Sequence, residues 1–237
     1  MTWAALVLLQ VQVETPDAVF RVNAGAFGRV GFPVGAVESV DITNAGNVIF
    51  LGDKLRYSDL FDPAVGVSVE FDVAFRPDRL RPGQPLHSQS PAFGAYAALH
   101  RDRFGGREED DEAGTTIEPE DMRVRSGLVG VKVAGTVHDR HFGELKAGAG
   151  LAFYDAVDAR FTGPSGIAAE GELFDDSRAF LMELRLRYGY RVGPVAFLFG
   201  FGARVNLGPD AGSGASSGIE PGPLWLVDLE LGVQLGF

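Results

Sequence analysis

Residues 225–237, WLVDLELGVQLGF, carry an apolar residue at every second position and, after Leu226, a polar residue or glycine between them. Successive side chains of a β-strand point to opposite faces, so this period of two predicts a strand with one apolar and one polar face. Strands of globular proteins mostly run about 5–6 residues, whereas a tilted strand needs about 9–11 to cross a bilayer, so the length favours a membrane-spanning strand. Asp228 and Glu230 lie on the polar face, and the apolar face consists of Trp225, Val227, Leu229, Leu231, Val233, Leu235 and Phe237.

The composition excludes several classes of protein. The chain has 237 residues with 32 glycines, 18 phenylalanines, no cysteine and a formal net charge of −11. The absence of cysteine excludes a disulfide scaffold, and an acidic surface repels phosphate, so we expect no nucleic-acid partner. Apolar runs such as residues 3–9 are too short for a membrane helix. If the chain crosses a bilayer, it does so with strands.

Residues 1–18 differ from the rest of the chain. They contain the apolar core of a secretory signal, but no Lys or Arg precedes it and no clear small-x-small cleavage site follows. The same residues also alternate as an extra strand would. The apolar Leu6 and Leu8 on the opposite face favour a degraded signal, and the extra strand stays open as the alternative. No break in composition divides residues 19–237, so we predict that they form a single barrel domain.

Further segments share the period of two, which gives an even total of eight predicted strands. In residues 65–75, valine and phenylalanine alternate with Ser68, Glu70 and Asp72. Residues 180–192 alternate between apolar and charged residues, which no amphipathic helix does. The predicted strands lie within residues 20–32, 65–75, 93–100, 128–138, 144–154, 180–192, 195–207 and 225–237.

The connections between these segments alternate in length. The long ones are residues 33–62, 103–121, 156–177 and 208–223, and the others are a medium one at 77–90 and short ones at 139–141 and 193–194. Membrane barrels have an even number of strands, short periplasmic turns and longer extracellular loops. We therefore predict an all-β fold, an eight-stranded antiparallel up-and-down transmembrane β-barrel with both termini in the periplasm.

Aromatic residues concentrate near the predicted strand ends, as in the two aromatic girdles of membrane barrels. Those at the predicted periplasmic ends are Phe20, Phe75, Tyr190 and Phe237, and those at the outer ends are Phe32, Phe153, Phe180 and Trp225. Alternation alone does not say which face points inward, so a soluble barrel with an apolar lumen is an alternative. The strand lengths and the girdles favour the membrane barrel.

The polar face of an eight-stranded barrel must be packed, because such a lumen is just wide enough for side chains to fill it. Glycines at inward positions leave room for long charged side chains. Buried charge is tolerated only when it is paired and hydrogen-bonded, so we expect an interior ion-pair network. Its predicted members are Glu70, Asp72, Lys132, Glu144, Lys146, Glu183, Arg185, Arg187, Arg204, Asp228 and Glu230.

The short turn at residues 193–194 predicts a register. A two-residue hairpin places Val192 opposite Val195, and counting outward places Glu183 opposite Arg204. The two arginines that follow Glu183 on the same face then lie opposite glycines, so large side chains meet small ones inside the barrel.

Over roughly residues 19–237 the pattern resembles the small bacterial outer-membrane barrels of the OmpA and OmpX type. The specific motif is the last strand, which ends on Phe237, since the final strand of such barrels is read by the β-barrel assembly machinery. The resemblance implies a monomeric, non-enzymatic outer-membrane protein with a structural, surface-interacting or narrow-pore role. The implied partners are the lipid bilayer, lipopolysaccharide and the assembly machinery. An outer-membrane lipid-modifying enzyme and a soluble ligand-binding barrel remain alternatives.

Few residues suggest chemistry, so we predict no catalytic, cofactor-binding or metal-binding residues. His87 and Ser88 lie in an irregular connection, without the His-x-Ser spacing of lipid A deacylases. His138 and His141 flank a short turn, but two ligands without a third acid or thiol make a weak metal site. The acidic run 108–112 is typical of a solvated loop, with capture of a divalent cation as the alternative.

Overall fold

A computed structural model describes residues 20–39, 42–44, 47–49, 55–77, 91–110, 114–138, 140–212 and 219–236. Residues 1–18, most of the connection 77–90, and Phe237 lie outside the described residues. In chain order the elements are β1 (Phe20–Val34), β2 (Ala36–Ser39), β3 (Ile42–Asn44), β4 (Asn47–Ile49), β5 (Leu55–Arg56), α1 (Tyr57–Leu60), β6 (Ala64–Phe75), β7 (Ala92–Phe104), β8 (Glu109–Asp110), β9 (Thr116–Pro119), β10 (Met122–His138), β11 (His141–Tyr154), β12 (Val157–Thr162), β13 (Ala168–Phe174), β14 (Ser177–Val192), β15 (Val195–Asn206), β16 (Ile219–Pro221) and β17 (Leu224–Gly236).

Eight long strands close into an antiparallel barrel in the order β1-β17-β15-β14-β11-β10-β7-β6. The first and last strands pair with each other, for example at Ala26 and Val233, so the barrel has no free edge. Each predicted strand coincides with one of these eight strands, and their ends differ by at most four residues, except that β10 begins six residues earlier than predicted, at Met122. The predicted all-β, eight-stranded up-and-down barrel is therefore confirmed. No helix in the described part of the chain is long and apolar enough to span a membrane.

The alternation of the sequence becomes an alternation between the inside and the outside of the barrel. On β6, Glu70 and Asp72 are each 2% exposed, whereas the neighbouring Val67 and Phe71 are 60% and 58% exposed. Charged residues are almost never fully buried in soluble proteins unless they are paired, and large apolar residues are usually inside. In this barrel the charged residues are buried on the inner face of the wall and the large apolar residues are exposed on the outer face.

We call the end of the barrel at which β1 begins and β17 ends the terminal end, and the opposite end the loop end. At the loop end, β2, β5 and β16 form one small sheet and β8, β9, β12 and β13 form another. The connections at this end share an apolar cluster, which we call the cap: Tyr57, Leu60, Phe61, Phe104, Ile117, Phe161, Leu173 and Phe174, all buried.

The cap ties distant connections together. The ring centroid of Phe61 lies 6.4 Å from that of Phe104 and 6.1 Å from that of Phe174. Tyr57 Oη donates a hydrogen bond of 2.9 Å to the carbonyl oxygen of Gly222, which joins the first loop-end connection to the last. The cap therefore covers the lumen at the loop end with packed side chains.

The turn between β14 and β15 has the predicted register. Val192 pairs with Val195 and Glu183 with Arg204, so the two charged residues lie on the same face of the sheet. Gly193 has a φ of +59°, which a two-residue hairpin turn needs at its first central position. Only glycine adopts this conformation without steric cost.

Replacing Gly193 with alanine is expected to lower the free energy of unfolding by about 1 kcal/mol, because an L-residue is strained at positive φ. A Cβ atom at this position meets nothing within 4 Å, so the cost comes from the backbone alone. Gly28→Ala is the matched control, since a Cβ there also meets nothing within 4 Å and the φ is not positive. Urea unfolding in detergent measures both variants, and an equal loss in the control would contradict the explanation.

Candidate functional site in the barrel interior and on its outer wall

Among the described residues, six cationic side chains and seven carboxylates are fully buried in the lumen, and each residue is at most 5% exposed. They lie on alternate positions of the barrel strands, where the period of two turns them inward. The cations are Arg29, Lys132, Lys146, Arg185, Arg187 and Arg204, and the acids are Glu70, Asp72, Asp102, Glu144, Glu183, Asp228 and Glu230.

Near the terminal end, Asp72 is the centre of a polar cluster. Its carboxylate accepts hydrogen bonds from Asn23 Nδ2 at 2.6 Å and from Gln234 Nε2 at 2.8 Å. Lys132 forms an ion pair with Asp72, and its Nζ also lies 3.5 Å from Glu144 Oε1. The carboxylate of Asp72 on β6 thus links side chains on β1, β17 and β10, and so bridges the two strands that close the barrel.

In the middle of the barrel, Glu70 joins two cations. Lys146 forms an ion pair with it, and Arg187 Nη1 lies 2.9 Å from its Oε2. Arg187 also pairs with Glu230, and its guanidinium carbon lies 4.0 Å from the centroid of the Phe27 ring. The buried charges are therefore packed against an aromatic ring as well as against each other.

Nearer the loop end, Arg185 contacts three carboxylates. Its Nη2 lies 2.6 Å from Glu183 Oε2 and 3.2 Å from Asp228 Oδ2, and its Nη1 pairs with Glu230. Hydrogen bonds to charged partners are shorter and stronger than neutral ones, which favours fixed side chains at this level of the lumen.

The last part of the network joins strands that are not neighbours. Arg204 Nε donates to Asp228 Oδ2 at 2.7 Å, and its Nη1 donates to Asp102 Oδ2 at 2.9 Å. Asp102 also accepts from Arg29 Nη2 at 2.5 Å. Contacts therefore run continuously from Asp72 to Arg29, and every residue expected in the lumen lies along them.

The sequence pattern missed Asp102. The predicted third strand ends near His100, whereas in the structure the corresponding strand, β7, continues to Phe104. The reason is that Arg101 and Arg103 occupy the outward positions, where apolar residues were expected. The acid at the next inward position after His100 was the only signal of the longer strand.

The role of the inward glycines differs in part from the expectation. At Gly200 a Cβ would lie 2.7 Å from Glu230 Oε1 and 2.9 Å from Arg187 Cγ, so this glycine does make room for charged side chains. At Gly25, a Cβ would instead lie 2.8 Å from the ring of Phe27. Aromatic residues therefore share the lumen with the charges, since the interior of a small barrel is filled by alternating small and large side chains that fit its taper.

His100 is the inward residue whose neighbours most resemble a catalytic set. Ser68 and Ser126 are its cross-strand partners, and its Nε2 lies 3.5 Å from Glu183 Oε2. Serine, histidine and a carboxylate are the residue types of nucleophilic catalysis. All four residues are at most 5% exposed inside the barrel, so they lie away from the outer wall. His87 and Ser88 lie outside the described residues.

Within the described ranges, no group of three or more His, Asp or Glu side chains could hold a metal ion. His141 Nδ1 lies 2.5 Å from Tyr188 Oη in an aromatic group at the terminal end. Of the acidic run 108–112, residues 108–110 are described, and Asp110 accepts a hydrogen bond from Thr116 Oγ1 at 2.6 Å.

The outer wall is apolar, with aromatic rings near both ends and also between them, where Phe199 and Phe201 are 50% and 52% exposed. At the terminal end, Phe20 and Phe75 are in contact, with ring centroids 5.2 Å apart. Phe180 is 45% exposed near the loop end. The ten residue-to-residue steps from Phe180 to Tyr190 span about 34 Å along a strand, or about 26 Å along the barrel axis at a tilt of about 40°. That height matches the apolar band of about 25 Å in outer-membrane barrels.

No protein-family model matches the chain, and no curated protein matches it by sequence. Among solved structures, it is similar to Ail, the attachment invasion locus protein of Yersinia pestis, with 12% identity, a TM-score of 0.42 and coverage of 93% of this chain and 100% of that chain. Neisserial surface protein A has 14% identity, a TM-score of 0.36 and coverage of 93% and 98%. A major outer membrane protein from Thermus thermophilus has 12% identity, a TM-score of 0.40 and coverage of 91% and 99%. At these values the likeness assigns no family, and the eight-stranded barrel stands on the strand pairing of the chain itself.

Proposed function

We propose that this chain is an integral β-barrel protein of the bacterial outer membrane, with a sealed interior and a structural, surface-interacting and non-enzymatic role. The observation that carries the proposal is the inverted wall. Leu231 is 66% exposed and Val67 is 60% exposed, whereas Lys146 is fully buried. Soluble monomers rarely expose apolar patches larger than a few hundred Å², so a wall of this kind fits lipid better than water.

We propose that the loop end faces the outside of the cell and that both termini lie in the periplasm. In outer-membrane barrels the longer connections are extracellular and the turns periplasmic. The turn at residues 193–194 lies at the terminal end, and the loop-end strands are joined by segments 35–63, 105–121, 155–176 and 207–223. The expected partners are the bilayer and lipopolysaccharide, with the assembly machinery reading β17. A closed barrel without a free edge favours a monomer.

The packed interior supports a sealed barrel rather than a pore. Ion pairs link opposite sides of the lumen, as between Arg204 and Asp102, and the cap covers the loop end. The same packing argues against a soluble ligand-binding barrel, which needs an open apolar cavity. The burial of His100 argues against a lipid-modifying enzyme, whose reactive groups must reach lipid.

The test uses detergent-extracted protein run on a gel with and without boiling, and recording across a planar bilayer. A folded membrane barrel is expected to change mobility on boiling, and a sealed one to give no or only small conductance. An unshifted band from the soluble fraction would contradict the membrane location, and large conductance steps would contradict the sealed interior. Altered lipid acylation on expression would contradict the non-enzymatic role.

The chain lacks cysteine, so single-cysteine variants test the orientation. Ser165→Cys lies in an exposed turn at the loop end, and Pro77→Cys is exposed at the terminal end. In intact cells, a membrane-impermeant maleimide is expected to label the first variant and spare the second. The reverse labelling would overturn the orientation while leaving the membrane location standing.

A further inference from the structure

Five exposed arginines point outward at the loop end of the barrel, and we call them the arginine band. Arg101 and Arg103 lie on β7, Arg123 and Arg125 on β10, and Arg178 on β14. The side chains of Arg103 and Arg125 are 66% and 63% exposed. This concentration of positive charge lies on a chain whose net charge is −11.

The strand register brings these arginines directly together. Arg101 is the cross-strand partner of Arg125, and Arg103 is that of Arg123. Directly opposite side chains have Cβ atoms about 4.5–5.5 Å apart, and like charges in such positions are destabilising. The row that contains Arg125 continues through β11 to Arg178. An anion bound between these side chains would relieve their repulsion.

The chain itself neutralises only part of the band. Arg103 Nε donates to Asp121 Oδ2 at 2.8 Å, and this hydrogen bond holds the pKa of the exposed Asp121 below its usual value. Arg125 pairs with Asp155. For Arg101, Arg123 and Arg178, the described part of the chain provides no ion-paired acid. Arg123 lies close enough to Asp121 for its charge to help lower the pKa of that carboxyl. Arg101 and Arg178 are therefore the charges most available to an outside ligand.

The band lies directly beside the apolar wall. One step toward the middle of the barrel, the next outward row runs from Leu99 on β7 through Gly127 on β10 and Leu151 on β11 to Phe180 on β14. Leu99, Leu151 and Phe180 are 68%, 44% and 45% exposed. Two residues along a strand span about 7 Å, so the guanidinium groups lie next to the level at which the apolar wall ends. Lipid headgroups occupy that level.

The other side of the barrel lacks this basic character. On β15, β17 and β1, the outward residues near the loop end are Val205, Trp225 and Val34, which pair across the strands in one row. The positive charge is therefore confined to one side of the wall, as expected for a binding site and not for a uniform rim.

We propose that the arginine band binds the phosphate groups of the glycolipid in the outer leaflet, with the neighbouring Leu99, Leu151 and Phe180 packed against its acyl chains. The inference rests on the proposed membrane location and orientation. Guanidinium groups suit this ligand because their planar fork donates two parallel hydrogen bonds to one phosphate. The band presents such forks on adjacent strands, at the spacing of a sheet.

The test measures lipid A bound to the purified barrel in nanodiscs of phosphatidylcholine, with bisphosphorylated and dephosphorylated lipid A as the two probes. The wild type is expected to bind the bisphosphorylated form more tightly. The variant Arg101→Gln, Arg123→Gln, Arg178→Gln is expected to bind the bisphosphorylated form roughly a hundredfold more weakly. Each substitution removes the contribution of one arginine to the binding free energy, and the three losses add. The control variant Arg56→Gln, Arg140→Gln, Arg160→Gln removes the same charge from exposed positions outside the strands that carry the band and should bind as the wild type does.

Equal binding of the two lipids by the wild type, or equal binding by the wild type and the band variant, would overturn the proposal. The boiling shift and insertion into vesicles are measured on the same samples. If all variants insert and shift but none differs in lipid binding, the arginine band has no such role and the membrane barrel still stands. If the wild type itself fails to insert, both proposals fail.

Discussion

Replacing Arg185 with methionine is expected to lower the free energy of unfolding by about 3–5 kcal/mol, the usual cost of removing one partner from a buried ion pair. Arg185 is 1% exposed and contacts Glu183, Asp228 and Glu230. Asp228 keeps Arg204 as a partner and Glu230 keeps Arg187. Glu183 is the carboxylate that loses most from the substitution, because its remaining contacts are weaker than the one with Arg185.

Urea unfolding in lipid vesicles, followed by tryptophan fluorescence, measures this effect. Arg103→Met is the matched control, since it breaks an arginine–aspartate pair whose side chains are 66% and 32% exposed. Exposed pairs contribute about 0–1 kcal/mol, so the control should remain close to the wild type. In the double variant Arg185→Met, Glu183→Gln, part of the lost stability should return, because the orphaned charge is gone. Equal losses for the buried and the exposed pair would show that the interior charges do not hold the barrel together.

Replacing Leu184 with arginine is expected to cost about 2–4 kcal/mol in a bilayer, the cost of a cationic side chain on the lipid face at the midplane. Leu184 is 56% exposed on the outer wall of β14, between the rings of Phe180 and Tyr190. The interior charges of the same strand are not affected, because the period of two separates the two faces.

Leu207→Arg is the control for depth. Leu207 is 63% exposed and its backbone N–H bonds to the carbonyl oxygen of Phe180, so it lies at the loop-end girdle. Near the interface the same substitution costs about 0–1 kcal/mol. A barrel surrounded by water would tolerate arginine at both positions, so small and equal effects in vesicle unfolding would favour the soluble alternative.

The barrel could be predicted from the sequence because its information is local. A period of two in residues 65–75 identifies a strand and its two faces without any knowledge of the partner strand. The turn at residues 193–194 then sets a register, since a hairpin of two residues allows only one pairing of its strands. This is why the pairing of Glu183 with Arg204 followed from counting.

The contacts across the lumen could not be predicted in the same way. Alternation says that Arg204 and Asp102 both point inward, but these residues lie 102 positions apart and on strands that do not pair. The cap was missed for a related reason, since Phe61 and Phe174 lie in segments without a period and meet only because the barrel closes. The end of β7 was also missed. The prediction ended each strand at its last outward apolar residue, so the outward arginines beyond that point were assigned to a loop.

If the barrel is inserted in a membrane as proposed, the interior network also constrains how the chain enters it. Asp102 on β7 is neutralised by Arg29 on β1 and Arg204 on β15, three strands that come together only in the closed barrel. An open sheet in the bilayer would present these charges to hydrocarbon at about 2.5–3.5 kcal/mol each. Closure and insertion are therefore expected to proceed together, because a half-inserted open sheet would leave these charges unpaired in hydrocarbon.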